Sequence, residues 1–258
     1  MGQIIAIANQ KGGVGKTTTS VNLAASLAAI DKKILLIDFD PQGNATSGLN
    51  IKKDEVENNI YKVLCGDIEI QETFVACELP SLFAVPGNRN LAAAEVELVN
   101  EMGREYVLKN LVLPIKDQFD YIFIDCPPSL SLLTINALCA ADGVVIPIQA
   151  EYYALEGVKD LMETINLVKK RLNHNLIITG VLITMYDERT NLSQQVLNDV
   201  RSFFGKQLYK TIIPRNIRLS EAPSFGKPAM LHDMRSKGAQ AYLKLAKEFL
   251  NGQKIGAR

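Results

Sequence analysis

Histidine and cysteine are scarce in this chain, which restricts the chemistry that it can support. Among 258 residues there are only two histidines and four cysteines. His174 and His232 are isolated from each other and from the cysteines, so neither indicates a metal site or a catalytic base. The cysteines form no C-x-x-C pair, which argues against a zinc site and favours reduced thiols. They are Cys65, Cys77, Cys126 and Cys139.

Long apolar runs and a net charge are also lacking, and we expect no secretory leader. No apolar run reaches the roughly 20 residues needed to cross a bilayer, and 28 basic residues balance 28 acidic ones. Acids nevertheless outnumber bases between residues 38 and 105, and bases outnumber acids between residues 188 and 237. We expect a cytoplasmic protein without a membrane partner, oriented in the field of a polyanion. No repeat, linker or composition shift divides residues 1–258, so a single domain is expected.

A glycine-rich turn lies between an apolar run at 4–8 and a predicted helix over 18–30. Its sequence is Lys11-Gly-Gly-Val-Gly-Lys-Thr17. Glycines let backbone N–H groups approach an anion, and the helix N-terminus adds partial positive charge. Lys16 can reach the β- and γ-phosphates of a nucleotide, and the Thr17 hydroxyl is placed to hold Mg²⁺. The turn therefore predicts a nucleotide-binding P-loop.

Apolar runs recur with helix-length spacers between them. Most are continuous rather than alternating, which is typical of parallel strands covered on both faces. The sequence predicts an α/β fold, a three-layer doubly wound and mostly parallel sheet flanked by helices, with ligands at the carboxyl ends of the strands. The runs span residues 4–8, 34–37, 82–85, 121–124, 144–148, 177–183 and 211–213. A final helix over 239–250 is expected to pack on the sheet, and residues 51–79 to be a helical connection.

Carboxylates follow two of these runs. Asp38 and Asp40 come at the end of the second run, where proline and glycine stop the strand. Four apolar residues precede Asp125, as in a Walker B motif, so its carboxylate would bind Mg²⁺ directly or through a water, close to Thr17. Turn formation, or helix capping for Asp125, is the alternative role of these side chains.

Four motifs, in order along the whole chain, resemble the ParA/Soj family of partition ATPases within the ParA/MinD superfamily. Gln10 replaces the first glycine of the usual P-loop, and the additional Lys11 is typical of the deviant form. The chain is similar to the short members, without an N-terminal helix-turn-helix domain. The motifs are Lys11-Gly-Gly-Val-Gly-Lys-Thr-Thr18, Asp38-Phe-Asp-Pro-Gln-Gly-Asn44, Asp125-Cys-Pro-Pro-Ser129 and Ile213-Pro-Arg-Asn-Ile-Arg-Leu-Ser-Glu-Ala-Pro-Ser-Phe-Gly226.

The resemblance implies a P-loop ATPase that needs Mg²⁺ and ATP and forms a sandwich homodimer. It implies slow hydrolysis that DNA and a ParB-like activator stimulate, in chromosome or plasmid partition on the nucleoid. Lys11 would contact the nucleotide of the opposite subunit, and no arginine finger is evident. Asp40 would orient the attacking water rather than deprotonate it.

The site residues that the resemblance implies fall into three groups. The implied catalytic residues are Lys11, Lys16, Asp40 and Asp125, and the implied metal residues are Thr17, Asp40 and Asp125. The implied nucleotide contacts are Lys11, Gly12, Gly13, Val14, Gly15, Lys16, Thr17, Thr18, Met185, Pro214 and Asn216.

Basic residues of the last third resemble the family's surface for non-specific double-stranded DNA, although scattered basic residues are usually just solvated. The candidates are Arg189, Arg218, Lys227 and Arg235. Contacts of this kind go to phosphates, so binding should be insensitive to sequence and sensitive to salt. A dimer would double the patch.

Three other functions use related scaffolds. A MinD-like membrane ATPase needs a basic amphipathic helix at its C-terminus. The residues after Leu250 contain two glycines and only one large apolar residue, which argues against such a helix. An iron-protein-like electron carrier needs two cysteines that share an Fe–S cluster across a dimer, for which only Cys126 and Cys139 are candidates. A small-molecule ligase would need a substrate motif, and none is evident.

Overall fold

The computed structural model describes residues 2–152 and 154–256. Its strands form one seven-stranded sheet in the order β3-β4-β2-β5-β1-β6-β7. All neighbouring strands run parallel except β3 and β4. The strands are β1 (Gln3–Ile7), β2 (Ile34–Asp38), β3 (Val75–Ala76), β4 (Leu82–Val85), β5 (Tyr121–Asp125), β6 (Gly143–Gln149) and β7 (Ile177–Thr184).

Helices occupy the connections between the parallel strands, as the crossover geometry of such a sheet requires. They are α1 (Lys16–Ala28), α2 (Asn44–Gly48), α3 (Ile60–Cys65), α4 (Leu91–Glu97), α5 (Val107–Val112), α6 (Leu132–Ala140), α7 (Glu156–Arg171), α8 (Asn191–Phe204), α9 (Ile217–Glu221), α10 (Ala229–His232) and α11 (Lys237–Gly256). The fold predicted from the sequence is therefore confirmed.

Each face of the sheet carries its own apolar layer. On β5, Ile122 and Ile124 pack into the layer covered by α5 to α8, and Phe123 packs into the layer covered by α1 and α11. Because successive side chains of a strand point to opposite faces, both sets must be apolar here. This explains why the strands are continuous apolar runs.

The strand prediction is wrong at residues 211–213. This stretch is extended beside β7, where Ile213 N donates to Ile183 O at 2.9 Å. The isolated bridges to this part of the chain lie just outside the stretch, at Leu208 and Pro214, and proline has no N–H group to continue a ladder. The seventh strand of the sheet is instead β3, which was not among the predicted runs and pairs antiparallel with β4 at the edge.

Residues 51–79 are only partly the helical connection that was expected. They contain α3 and a short 3₁₀ turn at Ile70–Thr73, but also β3. A two-residue strand has no recognisable period in the sequence, and its pairing with β4 is a tertiary contact.

The last helix is longer than predicted at both ends and packs on α1. Tyr242, Leu245 and Phe249 are buried. The Tyr242 hydroxyl lies 3.1 Å from the hydroxyl of Thr19 on α1, and Phe249 meets the Tyr121 ring edge-on with centroids 5.2 Å apart. The expectation that this helix packs on the sheet is confirmed. Among the described residues, no helix combines the length and apolar character that a bilayer span requires.

Candidate functional site

The carboxyl ends of β1, β2 and β5 lie side by side. Asp125 on β5 is in register with Ile7 on β1 and with Asp38 on β2. The loops that leave these strands therefore share one edge of the sheet, which is where ligands bind in doubly wound folds. This register brings the P-loop and the predicted carboxylates together.

The P-loop turns sharply into α1. Gly13 and Gly15 have φ angles of 74° and 89°, a region that side chains with a Cβ rarely adopt. Gly15 is the residue before the first turn of α1, so free N–H groups at the helix start face the loop interior.

Polar contacts hold the loop from both sides. Asn9 donates to Pro147 O at 2.7 Å and accepts from Lys11 N at 3.0 Å. Thr184, at the end of β7, donates to Val14 O at 2.7 Å. Sequence reasoning missed both side chains, although each lies immediately after or at the end of an apolar run, the position used to find the aspartates.

Lys16 lies inside the loop. Its ammonium is buried and donates to Lys11 O at 3.1 Å. Burial lowers the pKa of Lys16, while the charge of Asp125 opposes this change. The ammonium is therefore poised beside the loop amides, where a phosphate would compensate for its burial.

Asp125 is fully buried and only half satisfied. Its Oδ1 accepts from Ser20 Oγ at 2.8 Å, whereas Oδ2 accepts no hydrogen bond from the described residues. Burial raises the pKa of Asp125, with a further contribution from the charge of Asp38, and the Thr17 hydroxyl lies near enough to lower it in part. An unpaired buried carboxylate oxygen next to a hydroxyl fits a hard cation.

The described residues contain no group of three or more His, Cys, Asp or Glu side chains suited to a metal ion. That agrees with a P-loop magnesium, for which one or two side chains act together with substrate phosphates and water. The hydroxyl of Thr17 and the carboxylate of Asp125 are oxygen ligands of the kind that Mg²⁺ prefers.

Asp40 lies in a tight turn after β2. Its Oδ1 accepts from Gln42 N, and its carbonyl accepts from Gly43 N, both at 2.9 Å. Burial raises the pKa of Asp40, while the Gln42 hydrogen bond and the charges of Lys16 and Lys53 oppose that change. The charges of Asp40 and Lys16 are thus close enough to stabilise each other.

Buried Asp38 fixes this turn on the side that faces the protein interior, through hydrogen bonds to Thr46. Its Oδ2 accepts from both the N–H and the hydroxyl of Thr46, at 2.7 and 2.6 Å. The same hydroxyl accepts from Gly87 N at 2.9 Å. Gly87 could carry no side chain there, because a Cβ would lie 2.3 Å from Asp38 O. The turn after β2 is therefore fixed by a buried polar network.

A cavity of about 240 Å³ lies beside the P-loop. Met185, Pro214 and Asn216 line it, together with Gly15 and Thr18. Asn216 Oδ1 accepts from Arg218 N at 3.1 Å and so caps α9. The structure thus brings the three residues implied for the nucleotide base to one pocket next to the phosphate loop.

Lys11 points away from its own loop. Its ammonium lies 3.8 Å from Oε2 of Glu151, whose Oε1 lies 3.6 Å from Arg215. Glu151 follows β6 at the same edge of the sheet and was missed by sequence reasoning, although an acid after an apolar run was the signal used for Asp38 and Asp125. Lys11 remains about one-third exposed, so its ammonium can reach a second molecule.

The basic candidates do not form one cluster, and three of them pair with acids. Arg189 binds Asp187 in the β7–α8 loop at 2.7 Å. Arg218 lies 2.8 Å from Glu221 and 3.4 Å from Asp233, and the backbone N–H of Arg235 bonds to Asp233 at 3.1 Å. Lys227 lies 3.4 Å from Glu78. Arg218 and Arg235 are therefore neighbours, and Arg189 belongs to a separate loop.

The cysteines do not suit a shared cluster. Cys126 and Cys139 are fully buried, and burial raises the pKa of both thiols. Neither could reach a second subunit without unfolding its surroundings.

Known proteins resemble this chain over nearly its whole length. Residues 2–178 match the AAA domain family AAA_31. The chain is 58% identical over 248 residues to the sporulation initiation inhibitor protein Soj of Bacillus subtilis, covering 96% of this chain and 98% of that protein. It is 55% identical to the chromosome partitioning protein ParA of Myxococcus xanthus, covering 97% and 88%.

Solved structures resemble the whole fold. A Mycobacterium smegmatis protein described as cobyrinic acid a,c-diamide synthase, with bound ADP and magnesium, superposes with a TM-score of 0.88 at 38% identity, covering 99% of this chain and 97% of that one. The cell division ATPase MinD of Pyrococcus furiosus superposes with a TM-score of 0.80 at 26% identity, covering 97% and 99%. Sequence, fold and site agree, and the chain belongs to the ParA/Soj family of chromosome-partitioning ATPases.

Proposed function

We propose that this chain, acting as one domain, is a Mg²⁺-dependent ATPase that dimerises with ATP and then binds DNA without sequence preference. It works in the cytoplasm on the nucleoid, and DNA and a ParB-like partner stimulate its slow hydrolysis. The observation that supports this most directly is the meeting of Lys16, Asp40 and the half-satisfied Asp125 at the mouth of the P-loop.

Each side chain has a defined task in this proposal. Lys16 and the loop amides bind the β- and γ-phosphates, and Thr17 and Asp125 hold Mg²⁺, which neutralises phosphate charge. Related structures contain ADP or an ATP analogue with magnesium, which supports this assignment. Asp40 orients water, because a carboxylate is too weak a base to deprotonate it at neutral pH.

Dimerisation would complete the site. Lys11 lies at the protein surface in an ion pair with Glu151 of its own chain. An exposed pair of this kind contributes little stability, so Lys11 can exchange Glu151 for the triphosphate of a second subunit. Hydrolysis then depends on assembly, because the charge that Lys11 adds at the γ-phosphate arrives only in the dimer.

DNA binding would use the neighbouring Arg218 and Arg235 with Lys227, and Arg189 as a second contact point. These cations must exchange their carboxylate partners for DNA phosphates. A single patch of this size binds weakly, and two patches on one dimer bind more tightly through avidity.

Retention on double-stranded DNA with and without ATP tests the proposal. We expect ATP to increase retention, salt to reduce it steeply, and Arg218→Glu to abolish it. Lys170→Glu makes the same charge change at the exposed end of α7 and should retain DNA. Retention that is independent of ATP and insensitive to Arg218→Glu would refute the DNA-binding part.

A further inference from the structure

Buried hydrogen bonds hold one side of the turn that carries Asp40, but not the other. Below it, Asp38, Thr46 and Gly87 form the hydrogen-bond network described above. The outer side of the turn is formed by the peptide between Gln42, which is exposed, and Gly43, which is buried. Something must fix this outer side if Asp40 is to hold a water molecule in one position.

Lys53 contacts the outer side of the turn. Its ammonium donates to the carbonyl of Gln42 at 2.6 Å. A hydrogen bond from an ammonium is charge-assisted and stronger than one between neutral groups. It closes a link across 11 residues, from the turn after β2 to the segment after α2.

The methylene stem of Lys53 adds a second contact. A Cβ built on Gly43 would lie 2.9 Å from Lys53 Cδ and 2.7 Å from Gly87 O. Gly43 has a φ angle of 61°, and both Lys53 Cδ and Gly87 O lie against the face of Gly43 from which a side chain would project. Both the ammonium and the stem of Lys53 therefore restrict the turn.

The neighbouring lysine behaves differently. Lys52 is exposed and pairs with Glu55 at 3.1 Å. Among the described residues, no carboxylate lies within ion-pair distance of Lys53. Its ammonium instead donates to the Gln42 carbonyl, and its charge also lowers the pKa of Asp40. Two adjacent lysines thus have the same charge and different surroundings.

We propose that Lys53 is a positioning residue for ATP hydrolysis: it holds the Asp40–Gly43 turn in the geometry that places the Asp40 carboxylate at the attacking water. Lys53 acts by holding the turn through the Gln42 carbonyl, in addition to the effect of its charge on the pKa of Asp40. The inference rests on the role of Asp40 in the proposed function.

Steady-state kinetics of Lys53→Gln test the inference. We expect kcat to fall about tenfold to a hundredfold, because a misplacement of about 1 Å has an effect of that size. The KM for ATP and the affinity for a non-hydrolysable ATP analogue should stay within about twofold, since the P-loop is untouched. Lys53→Arg keeps a charged donor and should restore much of the rate.

Lys52→Gln is the matched control, since it removes the same charge one residue away. Wild-type kcat is expected for it. Normal kcat in Lys53→Gln, an equal loss in Lys52→Gln, or a rise of KM in parallel with the fall of kcat would overturn the inference. If Asp40→Ala also turned over normally, the role of Asp40 in the proposed function would fail instead.

Amide hydrogen exchange gives a readout that does not require turnover. In Lys53→Gln, exchange of the Gln42 and Gly43 amides should become at least severalfold faster than in wild type and in Lys52→Gln. Unchanged exchange at these amides would show that Lys53 does not restrain the turn, whatever the rate of hydrolysis.

Discussion

The hydroxyl of Ser20 donates a hydrogen bond of 2.8 Å to Oδ1 of Asp125, and both residues are buried. Ser20 lies one helical turn after Lys16 on α1, so the helix that begins at the phosphate loop also orients the carboxylate that follows β5. With Oδ1 occupied, Oδ2 is the oxygen left for a cation.

Ser20→Ala should therefore weaken the use of magnesium more than the use of nucleotide. Loss of the donor leaves Oδ1 unpaired in a buried site, at a cost of about 1–3 kcal/mol. We expect the Mg²⁺ concentration for half-maximal ATPase activity to rise about tenfold. Ser26→Ala, on the same helix and equally buried, should need no more Mg²⁺ than wild type. Equal Mg²⁺ curves for all three proteins would contradict this role.

Magnesium binding should release a proton from Asp125. Burial raises the pKa of this carboxyl above its usual range, so part of the metal-free protein carries the proton, whereas a metal ligand must be ionised. Mg²⁺–nucleotide affinity should accordingly increase as the pH rises. Calorimetry in buffers of different ionisation enthalpy measures the released protons. Asp125→Asn should release fewer, and equal release in both proteins would refute the assignment.

Lys11→Ala should abolish ATP-dependent dimerisation and turnover while leaving the fold and ADP binding of the monomer intact. The reason is that Lys11 contacts Glu151 rather than its own loop interior, so its removal takes nothing from the phosphate site within the chain. Light scattering with ATP measures the change in mass. Lys32→Ala, which breaks another exposed ion pair, with Asp120, is the control. A dimeric Lys11→Ala protein with normal turnover would end the mechanism proposed above.

Asp40→Ala should bind ATP, dimerise and remain on DNA, with hydrolysis reduced about a hundredfold or more. The side chain accepts a hydrogen bond from Gln42 in its own turn and none from the P-loop. Its loss should therefore leave the P-loop in place and remove the group that the proposed function assigns to the attacking water. Single-turnover hydrolysis and DNA retention are the measurements. Asp54→Ala, at an exposed position nearby, should hydrolyse ATP normally.

The order of the elements and the phosphate loop could be predicted because their signals are local. Continuous apolar runs and a glycine turn before a helix are visible within a few residues of sequence. The groups that Asn9, Ser20 and Thr184 bind could not be predicted in this way, since the partners Pro147, Asp125 and Val14 lie more than a hundred residues away in the sequence.

The errors have the same physical origin. β3 exists because two residues pair with β4. Residues 211–213 do not form a strand, since the bridges beside them, at Leu208 and Pro214, are isolated. The pairing of Lys53 with Gln42 was likewise not predictable, since Lys52 and Lys53 are indistinguishable by residue type. In each case a contact formed on folding decided the outcome.

The contact between Thr19 and Tyr242 has a consequence for biosynthesis. The helix that follows the phosphate loop contacts α11, which begins after residue 236, and Tyr242 also lines the cavity beside the loop. A ribosome-bound chain that has not yet released α11 should thus be unable to retain ATP, and nascent chains stalled before and after that helix would reveal the difference. Nucleotide capture would then report that translation has passed this point, so immature polypeptides would not compete with finished molecules for partners.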